Sequence, residues 1–463
     1  MRHLRYACLF AIIGITASCT NNRVNVQVWL TDPDKSILFQ QHASVPAAEE
    51  SNNLPVIEVN DQQIYQTIDG FGYTLTGGSA FHIMRMDAVK RSALLKELFA
   101  FDGNNIGVSY LRISIGASDL DSAVFSYDDL PAGQTDEAMA KFSIAPDKAF
   151  LIPALKEILA INPAIKILGS PWSPPAWMKT NDSTKGGSLK PASYKAYATY
   201  FVKYIQAMKD EGITIDAITV QNEPLNPKNN PSLYMPAEEQ AAFIKTALGP
   251  SFKAAGIATK IQLYDHNCDV PEYPLTILKD NEASQYVDGS AFHLYGGDIS
   301  ALTKVHDAFP AKNLYFTEQW IGAPGNLKGD LAWHIKNVII GSMRNWSRNA
   351  LEWNLAADSA LKPHTPGGCT ECLGAITING NDVIRNPAYY VVAHASKLIR
   401  PGATRIQSNM DHQLANAAFK TPDGKKVLLV LNEANTPQSF LVKNGSSSFS
   451  ATLNGGAVAT YVW

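Results

Sequence analysis

Two glutamates sit where a chain of this kind could handle an acetal. Ile218 to Pro224 reads Ile-Thr-Val-Gln-Asn-Glu-Pro, a short apolar run that ends in an amide, a carboxylate and a proline. Such a run is expected of a buried parallel strand whose last residues emerge at a barrel mouth. Pro224 cannot donate a ladder hydrogen bond, so pairing should stop where Glu223 leaves the sheet. A second apolar run, Asn313 to Thr317, ends in Glu318. One strand plus one helix of a (β/α)8 barrel takes roughly 30 residues, which puts these glutamates about three units apart, facing each other across one mouth. Two facing carboxyl groups are what glycoside hydrolysis requires. Taken singly, Asn222-Glu223-Pro224 is an ordinary turn.

Cleavage with retention needs the two groups about 5 to 5.5 Å apart, one attacking the anomeric carbon and the other protonating the leaving oxygen. Glu223, beside the Asn222 amide, suits the acid/base role, and Glu318 suits the nucleophile. The acid has to keep its proton, so its pKa is expected to be raised by burial or by the second carboxylate. The nucleophile has to stay ionised, and Arg112 and Tyr295 are the donors expected beside it.

The elements that must position these groups follow from periodicity. Eight strand candidates run over Thr67 to Thr76, Val108 to Ile115, Ile165 to Gly169, Ala217 to Gln221, Lys260 to Tyr264, Gly289 to Leu294, Asn313 to Thr317 and Ala350 to Asn354. Amphipathic stretches such as Asp87 to Phe99, Tyr194 to Lys209 and Ala237 to Leu248 lie between them, the alternation of βαβ units. Eight is the count of a closed parallel barrel. An open doubly wound sheet is disfavoured, because Gly70-Phe71-Gly72 and Gly77-Gly78 have the wrong spacing for a dinucleotide or phosphate loop. After about Lys397 short β runs separated by Asp-Gly, Asn-Gly and Gly-Gly turns predict an all-β sandwich that borrows a strand preceding the barrel. The expected organisation is an α/β (β/α)8 TIM barrel over 67–396, with a β-sandwich made of 397–463 and a strand over 55–66.

Residues 1–19 have a basic start, a short apolar run and small residues before Cys19, the pattern of an export signal. Thr16-Ala17-Ser18-Cys19 resembles a bacterial lipobox, which makes Cys19 the expected lipidation site and the address extracytoplasmic. Residues 20–54 are polar and read as a tether. Cys369 and Cys372 could form a disulfide in an oxidising compartment, and no further Cys or His pair stands at zinc-ligand spacing. The chain has 463 residues, 46% of them apolar and 17% charged, with a net charge of −3. There is no basic face for nucleic acid and no polybasic membrane patch, which leaves a neutral or weakly charged substrate and membrane contact only through the anchor.

The motifs together resemble glycoside hydrolase family 30, the glucosylceramidase and β-1,6-glucanase group. They run in order from Gly70-Phe71-Gly72 through Leu111 to Asp119, Leu168 to Lys179, Gln221 to Pro224, Ala291 to Tyr295 and Phe316 to Glu318, ending at Glu352 to Leu355. The run Ser170-Pro171-Trp172-Ser173-Pro174-Pro175-Ala176-Trp177-Met178-Lys179 is the most specific. The resemblance implies that Glu223 is the acid/base, Glu318 the nucleophile and Asn222 the partner of the sugar 2-hydroxyl. It further implies that Arg112 and Tyr295 support the nucleophile, and that Asp119, Trp172 and Trp353 line the non-reducing sugar's subsite. His293 is read as supporting structure. Gly77-Gly78 and the Gly367 to Cys372 loop depart from the glucosylceramidase branch, and the Gly-Gly-Cys loop resembles endo-β-1,6-glucanases. The expected activity is retaining endo-hydrolysis of β-1,6-glucan without metal or organic cofactor. The alternatives are an exo-β-glucosidase or glucosylceramidase, and an inactive glycan-binding lipoprotein.

Overall fold

The computed structural model describes residues 25–45, 54–410 and 413–463. Residues 1–19, where the export signal and the lipidated Cys19 are expected, lie outside them.

Each of the eight expected strands is present. They are Gly70–Thr74, Tyr110–Ser114, Lys166–Ser170, Ala217–Thr219, Lys260–Cys268, Val287–Gly297, Asn313–Glu318 and Ser347–Asn354. All pair in parallel in chain order, and the eighth pairs with the first, so the sheet closes into a barrel. Arg112, Ser170 and Thr219 converge on one carboxylate inside the mouth. Residues two positions earlier share the same face of each strand. Tyr110, Leu168 and Ala217 therefore also point inward, and with Leu351 they form a separate apolar cluster that plugs the barrel below the site.

The helices bury one stripe each against the outside of the strands. In Tyr194–Asp210 that stripe includes Tyr197, Tyr200, Phe201, Tyr204 and Met208, the spacing of a single helical face. Asp87 starts Ala88–Phe99 by accepting from the backbone N–H groups of Val89 and Lys90, which satisfies donors the helix itself cannot. Among the described residues, no helix is long and apolar enough to cross a membrane.

Among the described residues, nine strands make the second module, in the order Gln40–Val45, Val26–Thr31, Val458–Val462, Lys426–Asn432, Leu414–Lys420, Thr404–Ser408, Val56–Thr67, Gln438–Asn444, Ser447–Leu453. The sheet folds over on itself, since Phe449 of its last strand meets Tyr461, with ring centroids 5.5 Å apart. Ile57, Leu428, Val430, Phe440 and Val442 fill the space between the two layers.

The tether expected over 20–54 is corrected in part. Val26–Thr31 pairs with Val458–Val462 and with Gln40–Val45, and Val26, Val28 and Trp29 are buried. The reason is local: Val26 and Val28 flank exposed Gln27 and face the sandwich core, the alternation of a strand, while Trp29 is buried on the opposite face against Phe39, with ring centroids 4.8 Å apart. The two modules are pinned at His394, on the helix Pro387–Ser396. Its ring nitrogens meet Thr31 Oγ1 at 2.8 Å and Thr460 Oγ1 at 3.0 Å. Burial pushes this imidazole down to about 3, so it is neutral and can donate from one nitrogen while accepting at the other.

Candidate active site

Backbone geometry delivers Glu223 to the barrel mouth. The fourth strand leaves the ladder after Thr219, and the Asn222 N–H then donates to the Pro171 carbonyl at 2.8 Å. Glu223 adopts φ of 45°, a left-handed conformation that costs a non-glycine residue on the order of 1–3 kcal/mol. Its N–H donates to the Asp265 carbonyl at 2.9 Å, a bond that holds the turn. Glu318 arrives as the last residue of the seventh strand.

Arg112, wholly buried on the second strand, organises the floor. Its Nη1 donates to Glu318 Oε2 at 2.5 Å, and its Nη2 to Asn222 Oδ1 at 2.7 Å and Asp265 Oδ2 at 2.8 Å. Tyr295 donates its hydroxyl to Glu318 Oε1 at 2.9 Å, and burial holds that phenol well above its ordinary pKa, so it remains a donor. Both oxygens of Glu318 are thus engaged by donors, as its sequence position led us to expect.

Asp265 is the residue that sequence reasoning missed. Its Oδ2 accepts from Arg112, from Ser170 Oγ at 2.6 Å and from Thr219 Oγ1 at 2.8 Å. Its Oδ1 accepts from Thr317 Oγ1 at 2.6 Å and from His293 Nε2 at 3.0 Å. Burial works to raise its pKa, yet Arg112 and His293 hold it well below the usual carboxylate range. Because Asp265 is ionised, His293 Nε2 must carry a proton. Five donors on one buried carboxylate tie six of the barrel strands together.

His293 is more central than expected. Its Nδ1 stands 3.5 Å from Glu223 Oε1 and 3.6 Å from Glu318 Oε1, and these three ligand-type atoms all lie within 4.8 Å of one another. Burial alone would lower the imidazole, but the charges of Glu318, Asp265 and Glu223 outweigh it and push the group up to about 9. The expected raised pKa of Glu223 is overturned. Burial raises it, but His293, with His266 and Asn226, brings it down to about 2, whereas burial leaves Glu318 raised. In the free site the proton resides on the imidazole.

A cavity of about 670 Å³ opens over the two glutamates. Asp119, Trp172 and Trp353 line one side of it, with Trp320 beside them. The rings of Trp172 and Trp353 lie 5.3 Å apart, and Arg112 sits 4.8 Å from the Trp172 ring centre. Among the described residues the buried Trp172 Nε1 has no acceptor, which leaves a donor free for a hydroxyl. Cys369 and Cys372 are bonded to each other. Gly322↔Cys372 pairing clips their loop to the segment that follows Glu318, and the Cys369 N–H donates to Asp119 Oδ2 at 3.1 Å. Burial, with the nearby Glu318 charge, pushes Asp119 up to about 7. Gly77 also has a reason: a Cβ there would lie 1.6 Å from Asp121 Oδ1. The carboxylate of Asp121, bonded to the Ser118 N–H and hydroxyl, fills the space that a side chain at 77 would need.

All eight carbohydrate-site candidates therefore gather at one mouth, and the disulfide loop joins them. The family model described as the glycosyl hydrolase family 30 TIM-barrel domain matches residues 68–399, and that of the family's beta sandwich domain matches 402–461. Endo-1,6-beta-D-glucanase neg1 of Aspergillus fumigatus is 33% identical over 450 residues, which covers 91% of this chain and 90% of that protein. An endo-1,6-beta-D-glucanase of Neurospora crassa is 36% identical over 389 residues, 80% of this chain and 79% of that one. A solved endo-beta1,6-glucanase superposes with a TM-score of 0.88 at 38% identity, over 95% of this chain and 99% of the other.

Proposed function

The chain belongs to glycosyl hydrolase family 30, and on that premise we propose that it cuts β-1,6-linked glucan internally, with Glu318 as nucleophile and Glu223 as acid/base. The observation that carries the assignment is the pairing of the two glutamates. Their oxygens approach within 4.8 Å, close enough for direct attack and too close for the interposed water of an inverting enzyme. Only Glu318 receives both Arg112 and Tyr295, donors that favour its ionised, attacking form.

In the first step Glu318 forms a bond to the anomeric carbon as the C1–O bond to the leaving sugar breaks. The leaving oxygen takes its proton through Glu223 Oε1, which His293 Nδ1 faces. In the second step Glu223 accepts a proton from water and returns it to His293 Nδ1, the water oxygen bonds to C1, and Glu318 departs as a carboxylate. Asn222, fixed by Arg112, is placed to hold the 2-hydroxyl. Asp119 and the Trp172 indole supply polar partners for hydroxyls farther from the reacting bond. The β-1,6 linkage rests on the relatives named above and on the disulfide loop that shapes the Asp119 side of the cavity.

Digestion of linear β-1,6-glucan with early sizing of the products tests this. A ladder of oligosaccharides with the new reducing end formed as the β-anomer is the expected result. Glucose alone would overturn internal cleavage, and turnover of glucosylceramide or xylan in preference to β-1,6-glucan would overturn the linkage. The aryl β-glucosidase activity of the wild type should vanish in Glu318→Gln; a non-enzymatic glycan binder would show no difference between the two.

The amino-terminal segment supports an extracytoplasmic, lipid-anchored address through Cys19. Labelling with a fatty-acid probe should mark the wild type and spare Cys19→Ala. Equal labelling of both would remove the anchor from this account.

A further inference from the structure

The same cleft has the makings of a site that the hydrolysis does not call for. His293 Nδ1 is buried, without a hydrogen-bond partner among the described residues, and faces Glu223 Oε1 at 3.5 Å and Glu318 Oε1 at 3.6 Å. Behind the ring, Nε2–H donates to Asp265 Oδ1 at 3.0 Å. A carboxylate that holds the far nitrogen of an imidazole is the arrangement that orients histidine ligands of metal ions and raises their basicity.

The spacing is right for a small divalent ion. Nitrogen and carboxylate oxygen bind zinc at about 2.0–2.2 Å, so two ligands at a tetrahedral angle stand about 3.3–3.5 Å apart and two opposite ligands about 4.2 Å apart. Both histidine–glutamate separations match the first figure within a few tenths of an ångström, and the two glutamate oxygens, within 4.8 Å of each other, come together onto the ion by small rotations of their side chains. Charge fits as well. With His293 neutral, Glu223, Glu318 and Asp265 set against Arg112 leave two formal negative charges around the gap. An imidazole nitrogen in the set favours zinc over the oxygen-seeking calcium and magnesium ions.

We propose that His293, Glu223 and Glu318 form a zinc-binding site in which the ion bars the sugar from the cleft, so that zinc is a competitive inhibitor. The ion replaces the proton on Nδ1 and draws on the lone pairs that the two glutamates need for chemistry. Its fourth position faces the cavity and holds water. The inference uses the same side chains as the hydrolysis but not the roles given to them.

Equilibrium dialysis of the full chain against zinc chloride reads occupancy without any turnover, so it stands apart from whether β-1,6-glucan is the substrate. Binding of one ion should be lost or weakened at least tenfold in Glu318→Gln, which keeps the shape of the side chain, and in His293→Asn. On the wild type, zinc should raise KM for an aryl β-glucoside at constant kcat, chelator should restore it, and magnesium should do neither. Unchanged zinc affinity in a folded Glu318→Gln, or inhibition that lowers kcat at unchanged KM, would overturn the proposal. So would the absence of any binding up to millimolar zinc. Should His293→Asn fail to fold, Glu318→Gln and the inhibition pattern decide the matter alone.

Discussion

Replacing Asp265 by Asn should cripple turnover while sparing substrate binding. Asp265 is not among the residues that line the cavity, yet it receives Arg112 Nη2 at 2.8 Å and His293 Nε2 at 3.0 Å, the two groups that fix and charge the surroundings of Glu318 and Glu223. Asparagine keeps the shape but removes the charge and turns one acceptor into a donor. Placed toward Arg112, the new NH2 opposes three donors; placed toward His293, it opposes two and favours the tautomer with Nε2 bare. A hydrogen bond between charged groups contributes about 1.5–3 kcal/mol. If one such bond is expressed in the transition state, 2 to 3 kcal/mol corresponds to a fall in kcat of roughly 30- to 160-fold. The whole loss of a buried charge partner should cost the fold about 3–5 kcal/mol. Steady-state kinetics on an aryl β-glucoside, with urea unfolding of the same preparation, separate the two effects. A folded Asp265→Asn protein with kcat within threefold of wild type, or a loss confined to KM, would refute the role of this carboxylate as a positioning residue.

Three further outcomes follow from groups away from the reacting atoms. His394 is pushed from 6.5 down to about 3 in the folded chain, so protons favour the unfolded state. Its contribution is whole above pH 6.5 and is lost at about 1.4 kcal/mol per unit as pH falls toward 3. Urea unfolding from pH 7 to 4 should show a flatter pH dependence for His394→Gln than for wild type. Removing the disulfide with Cys369→Ser and Cys372→Ser frees the loop whose N–H holds Asp119. A bond of about 1–2 kcal/mol translates into roughly a 5- to 30-fold rise in KM for β-1,6-glucan, with kcat little changed. Gly77→Ala drives a methyl into the Asp121 carboxylate and should destabilise the chain by about 1–3 kcal/mol, measured by denaturant unfolding.

The barrel and its two glutamates were legible because each signal is local and repeated. Apolar runs ending in polar residues recur eight times, and Glu223 and Glu318 fall at the ends of two of them. Asp265 was not legible for a reason the backbone makes plain. Tyr264 and Asp265 both take positive φ, and the strand shifts register between Tyr264 and His266. That bulge turns into the barrel a side chain that simple alternation does not place there. The pKa order of the glutamates was hidden as well, since it depends on a histidine two strands from one and a neighbouring strand from the other. In the second module, Leu414–Lys420 reads Leu-Ala-Asn-Ala-Ala-Phe-Lys, a composition with weak β preference that only its partners on either side make into a strand. Val26–Thr31 carries the alternation only over Val26, Gln27 and Val28 before Trp29 and Leu30 break it, too short a signal among polar neighbours to mark a strand.

The long strand Val56–Thr67 and the two that precede it make the all-β module a discontinuous object. Three of its nine ribbons come from before the barrel, while the stretch matched as the family's second domain spans only 402–461. A gene fragment cut at that boundary would express a sheet with Leu441 and Ser408 stripped of the neighbours they have at Val56 and Val59. Anyone who swaps this module between relatives, or shortens the amino-terminus to ease production, has to carry residues from about 25 onward as part of the graft.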